Sequence, residues 1–150
     1  MMTSVRALPM MMLLLLAGCA AEREPITPSA EPAAVPADVN WSRAERVDVM
    51  LAEFDFAPNH LLFERGRPYR LHMENRGSGG HNFAAPAFFD SVALRDNAVK
   101  PETRATGGVE LARGEVKDVY FVPLQAGTFP LECSHLLHPI FGMTGEIVVH

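Results

Sequence analysis

Cys133-Ser134-His135-Leu136-Leu137-His138-Pro139-Ile140-Phe141-Gly142-Met143 spaces a thiol, an imidazole and a thioether at equal intervals. A soft thiolate, a borderline imidazole and a weak thioether are the donors of a mononuclear copper electron-transfer site, which needs one further imidazole. The run GGHNF, Gly79 to Phe83, offers one at His81. The segments on either side, Thr128–Cys133 and Thr144–Val149, read as strands, so the donors sit in one loop closed by two strands.

Outward from that loop the chain reads as all-β. Tyr69, Leu71 and Met73 alternate with Arg70, His72 and Glu74, the pattern of a half-buried strand. Val47, Val49 and Leu51 alternate likewise. The apolar parity then shifts to Phe54 and Phe56, which predicts a bulge near Ala52-Glu53. Pro58-Asn59 breaks that strand, and Leu61–Phe63 forms a short one. Residues 64–68 make a turn, and Asn75 to Gly80 is a Gly-rich turn leading into a strand at His81-Asn82-Phe83. Val109–Leu111 and Val116–Val122 complete the set. Short strands at this spacing point to a sandwich. Within residues 85–108, Phe88, Phe89, Val92 and Leu94 fit either a short helix or an irregular crossover, and Lys100 to Gly108 reads as mobile.

The first 18 residues carry one positive charge, Arg6, and an apolar stretch from Met10 to Ala17, ahead of Leu16-Ala17-Gly18-Cys19. The apolar run is too short to span a bilayer and reads as an export signal. Small residues followed directly by cysteine resemble a bacterial lipoprotein signal, by which Cys19 would be lipidated and become the new N-terminus. Ordinary secretion is the alternative. Five of the eight methionines leave with the leader, as does Arg6, taking the formal net charge from −5 to −6 and leaving Cys133 the only thiol besides Cys19. That mild acidity argues against nucleic acid as a partner. Residues 19–40, with Pro25, Pro28, Pro32 and Pro36 among Ala, Glu and Ser, form a tether that cannot bury enough apolar surface to order itself. At about 3 Å per residue it would hold residues 41–150, one small domain, several nanometres from a membrane.

His81 followed by a distant Cys133-x4-His138-x4-Met143, just before a final strand, resembles the cupredoxin family of blue-copper proteins, with the spacing of its azurin-like members. The resemblance covers about residues 45–150 and implies a Greek-key β-sandwich holding one copper ion. It makes His81 and His138 the imidazole ligands, Cys133 the thiolate and Met143 the long axial contact. It also implies that Asn82 hydrogen-bonds Ser134 to tie two loops together. Gly80, before His81, stands where some relatives offer a backbone carbonyl as a further weak contact.

His135 departs from the family pattern, and three readings stand: a plain surface histidine, a replacement for His138, or an accessory ligand that receives or releases copper. His60, His72 and His150 show no partner in the sequence and read as surface residues. Leu136, Leu137, Pro139, Ile140 and Phe141 are too many apolar side chains for a tight loop to bury, so some cover the metal and others form a docking patch around His138. A Cys-His nucleophile pair would leave His81 and Met143 unexplained, and the sequence has no phosphate loop or CxxC pair. The expected function is therefore not enzymatic: a membrane-anchored, monomeric one-electron carrier of the cell envelope, with the outer membrane favoured where the cell has one. The alternative is a copper chaperone, buffer or tolerance protein. Its partner would be a redox or copper-exchange protein.

Overall fold

Alternation decides where each strand faces. In β4 (Tyr69–Asn75) every odd residue is buried and every even one half-buried, as the sequence pattern requires of a strand with one face on a core. The computed structural model describes residues 36–95 and 108–150. The leader, Cys19, most of the tether and residues 100–107 lie outside the described residues. Asn40, at the end of the expected tether, accepts a hydrogen bond from Ser42 N and caps a single 3-10 turn, Trp41–Arg43. No helix among the described residues is long and apolar enough to cross a membrane.

Among the described residues, ten strands form two five-stranded sheets. The first contains β1 (Glu45–Ala52), β2 (Asp55–Ala57), β4, β6 (Val92–Leu94) and β8 (Val116–Pro123), in the order β2-β1-β4-β8-β6. The second contains β3 (His60–Phe63), β5 (His81–Ala84), β7 (Gly108–Leu111), β9 (Gly127–Glu132) and β10 (Thr144–Val149), in the order β3-β10-β9-β5-β7. Both sheets are mixed: β1 runs parallel to β4 and β3 parallel to β10, and the remaining pairs are antiparallel.

The core lies between the sheets. Leu51, Leu71, Met73 and Phe121 from one meet Leu61, Phe63, Phe83, Leu131 and Ile147 from the other, all essentially without exposure. Each such side chain contributes about 1.5–3 kcal/mol relative to leaving it in water. Phe63, Phe88 and Phe121 pack ring on ring at its centre.

The parity shift after Leu51 is not a bulge. The chain reverses at Glu53-Phe54 and β2 pairs back on β1, with Leu51 opposite Phe56 and Ala52 opposite Asp55. A two-residue turn and a bulge both move the apolar set from odd to even positions, and Phe54 occupies the left-handed region (φ 42°) where Asn or Gly would have signalled the turn. The ambiguous stretch after Ala84 is a short helix, α1 (Pro86–Asp90), which starts on proline and buries Phe88 and Phe89. Val92 and Leu94 then belong to β6, paired to β8.

Candidate metal centre

The loop 133–143 joins β9 to β10, which pair antiparallel up to Glu132 and Thr144. Its ends are tied together: Cys133 N donates to Met143 O at 3.1 Å, and Met143 N donates to His138 O at 3.0 Å. Between them the chain winds through His138 N to His135 O, Phe141 N to Leu137 O and Gly142 N to Pro139 O. Gly142 takes φ +103°, a conformation that side chains disfavour, immediately before Met143. The backbone thus fixes the spacing of all three donors. His81, the first residue of β5, comes in from the neighbouring strand.

The donors converge. Ligand atoms of His81, Cys133 and His138 all lie within 4.8 Å of one another. His81 Nδ1 and His138 Nδ1 are 3.2 Å apart, and Cys133 Sγ is 3.3 Å from His138 Nδ1. Asn82 N donates to Cys133 Sγ at 3.5 Å. His81, Cys133 and Met143 are fully buried, and only His138 is partly open to solvent. Burial holds the pKa of His81 below its ordinary value, with His138 acting in the same direction and Glu53 opposing, which favours the neutral ring, the form with a lone pair for a cation.

Side chains around the donors hold the loops in register. Ser134 N donates to Asn82 Oδ1 at 2.7 Å, and Asn82 Nδ2 donates to Ser134 Oγ at 2.6 Å and to Glu110 Oε1 at 2.9 Å. His135 Nε2 lies 2.9 Å from Glu110 Oε2, so this imidazole is tied outward to β7 and not into the donor cluster. Its ring stands 5.4 Å from that of His138. Gly80 is exposed, and a Cβ there would lie 3.5 Å from His135 Cε1. His60 and His150 are exposed as expected. His72 faces outward from β4 but is half-buried, with Nδ1 2.8 Å from Asp118 Oδ1.

The β1–β2 turn, invisible as a turn in the sequence, is part of this site. Phe54 packs edge-on against the His138 ring at 5.1 Å between centroids and against Phe141 at 4.9 Å. Glu53 Oε1 accepts from Ser78 Oγ and from the N–H groups of Ser78 and Gly79 in the turn that leads to His81. Those bonds, the Ser78 hydroxyl first, pull its pKa down to about 2. Gly77 faces the other side of His81: a Cβ there would come within 2.6 Å of His81 Nε2. Neither Glu53 nor Gly77 carries a sequence signal, because each depends on partners distant along the chain or on space that only the fold defines.

The donor chemistry fits one copper ion. A thiolate and two imidazoles also suit zinc, but a fully buried thioether held by its own backbone to both Cys133 and His138 suits copper.

No protein-family model and no curated protein matches the sequence. Solved structures do match. An auracyanin from the photosynthetic bacterium Roseiflexus castenholzii, reduced with dithionite, aligns at TM-score 0.52 and 16% identity over 71% of this chain and 98% of its own. Auracyanin B aligns at 0.52 and 20%, over 75% of this chain and 93% of its own. The multicopper oxidase McoA of the hyperthermophile Aquifex aeolicus aligns at 0.55 and 15%, over 75% of this chain but only 31% of the oxidase. At these identities the likeness is one of fold: the chain has the two-sheet cupredoxin fold that the resemblance around residues 133–143 implied.

Proposed function

We propose that this cupredoxin-fold chain binds one copper ion through His81, Cys133, His138 and Met143 and serves as a one-electron carrier in the bacterial cell envelope. The observation that carries the reading is the convergence of His81, Cys133 and His138, with buried Met143 bonded through its backbone to Cys133 and His138 and one edge, His138, reaching solvent. Copper, when bound, supplies a single-electron couple. The chain's part is to hold the donors still. Cys133 and Met143 are locked by the loop backbone, and the Asn82–Ser134 bonds join that loop to β5. Donors fixed in this way have little room to rearrange.

Around His138 the loop exposes Leu136 (86%), Ile140 (78%), Phe141 (59%) and Leu137 (48%), with Pro139 half-buried beside them. An apolar patch at the one open edge of the site is where a redox partner would dock. The short apolar leader and Cys19 support export and lipid anchoring, with residues 19–40 as the tether. One observation favours a second reading, copper delivery: the His135 ring lies beside His138 on the open side and is bonded only to a surface carboxylate, so it is positioned to take part in exchanging the ion.

Loading the mature protein with one equivalent of Cu(II) tests both. A carrier shows an intense thiolate-to-copper visible band that survives His135→Ala and is lost in His138→Ala. Reversible one-electron cycling accompanies it. A colourless protein that retains only Cu(I) and passes it to a chelating acceptor would overturn the carrier reading in favour of delivery.

A further inference from the structure

His81 Nε2 is the one buried side-chain nitrogen or oxygen among the described residues without a hydrogen-bond partner. Its side chain is 1% exposed, so no broad solvent channel serves it. Nδ1 is the nitrogen turned toward His138, 3.2 Å from its Nδ1, so the tautomer that leaves Nδ1 a lone pair for a cation carries its proton on Nε2. A buried donor left unmade costs about 1–3 kcal/mol. The group facing it is a carboxylate: Glu53 Oε1 lies 3.7 Å away. That carboxylate is itself anchored by Ser78 and Gly79, the residues that lead into His81. Gly77 supplies the space, since a Cβ there would lie 2.6 Å from Nε2 and 3.0 Å from Glu53 Oε1.

We propose that Glu53 is a positioning residue of the metal centre: its carboxylate accepts the Nε2–H of His81, fixes the ring with its Nδ1 lone pair toward the metal, and favours Cu(II) over Cu(I). The proposal rests on the copper reading above. A carboxylate behind a ligating imidazole fixes its tautomer and raises its basicity, which favours the more highly charged ion. The 3.7 Å separation closes to a hydrogen bond with a shift of about 1 Å. The Nε2–H becomes a stronger donor once Nδ1 is engaged, which drives that shift. The turn carrying Glu53 also carries Phe54 onto His138, so one two-residue reversal reaches both imidazoles.

The test compares the wild-type protein with Glu53→Gln and Glu53→Ala. Glu53→Gln keeps a neutral acceptor for Ser78 and Gly79, so it removes the charge while sparing the loop, and it decides the matter if Glu53→Ala fails to fold. In both variants Cu(II) affinity should fall by about 10- to 100-fold relative to Cu(I). The reduction potential should rise by about 59 mV for each tenfold. In the metal-free protein, nitrogen NMR should find the His81 proton on Nε2, with a downfield proton shift that moves upfield in Glu53→Gln. Potentials and relative affinities within twofold of wild type in Glu53→Gln would overturn the proposal, as would an unchanged Nε2–H resonance. Should the wild-type protein bind no copper, the functional reading falls, while the metal-free NMR comparison still decides whether Glu53 pairs with His81.

Discussion

Asn82 and Ser134 exchange hydrogen bonds in both directions: Ser134 N donates to Asn82 Oδ1 at 2.7 Å and Asn82 Nδ2 donates to Ser134 Oγ at 2.6 Å. They stand next to His81 and Cys133, so the pair ties together the two segments that hold the donors. Asn82 is 2% exposed. Asn82→Ala leaves the Ser134 N–H unpartnered and should cost about 1–3 kcal/mol in urea unfolding of the metal-free protein. Ser134→Ala keeps its backbone donor and should cost less, about 0.5–1.5 kcal/mol. Equal costs would mean that the backbone bond contributes nothing.

Gly77 and Gly79 flank Ser78 but differ in what surrounds them. A Cβ on Gly77 meets His81 Nε2 at 2.6 Å, whereas one on Gly79 meets nothing within 4 Å. Gly77→Ala should therefore displace the imidazole and weaken copper binding by tenfold or more, while Gly79→Ala leaves it within about twofold. Metal titration with a competing chelator reads both. Similar affinities for the two variants would show that the turn yields freely.

Asp118 gives the protein part of its acid sensitivity. Arg70 donates to both carboxylate oxygens, at 3.0 and 2.8 Å, and this lowers the Asp118 pKa from its ordinary 3.8; desolvation opposes the shift and His72 adds to it. A depressed folded-state pKa contributes stability that is present above the unfolded value and is lost as pH falls through the folded one. The stability gap between wild type and Asp118→Asn should thus be full above about pH 5 and close below pH 4. The group lies near the surface, so the gap should not exceed about 1 kcal/mol. A gap that does not shrink as the pH falls below about 4 would refute the assignment.

Leu136 and Ile140 carry the most exposed apolar surface beside His138. Leu136→Glu and Ile140→Lys should each leave unfolding free energy within about 0.5 kcal/mol and the visible spectrum unchanged. Electron self-exchange between two copies, read from NMR line broadening in mixed oxidation states, should slow by tenfold or more. Unchanged exchange would move the docking site away from this patch.

Much of this was legible in the sequence because it depends on local pattern. β4 alternates without a fault, β10 spans the Thr144–Val149 that the sequence marks as a strand, and the donor spacing in 133–143 is a property of one loop. What was not legible depends on distance. The parallel pairings of β1 with β4 and β3 with β10 leave no short-range trace. Phe54 hid a hairpin because it takes a left-handed conformation usually reserved for Asn or Gly. Glu53 finds Ser78 and Gly79 some 25 positions away, and nothing in its neighbours along the chain marks it.

The bond from Cys133 N to Met143 O makes the loop between them a cassette. Its two ends are set by the β9–β10 register, and in the proposed copper site its inward letters, Cys133, His138 and Met143, would be read by the metal. The outward letters, Leu136, Leu137, Ile140 and Phe141, are read by whatever meets the surface. The same eleven residues therefore spell two messages that can be edited separately. A lineage could change the company this protein keeps by rewriting the outward letters, with no strand moved and no donor lost.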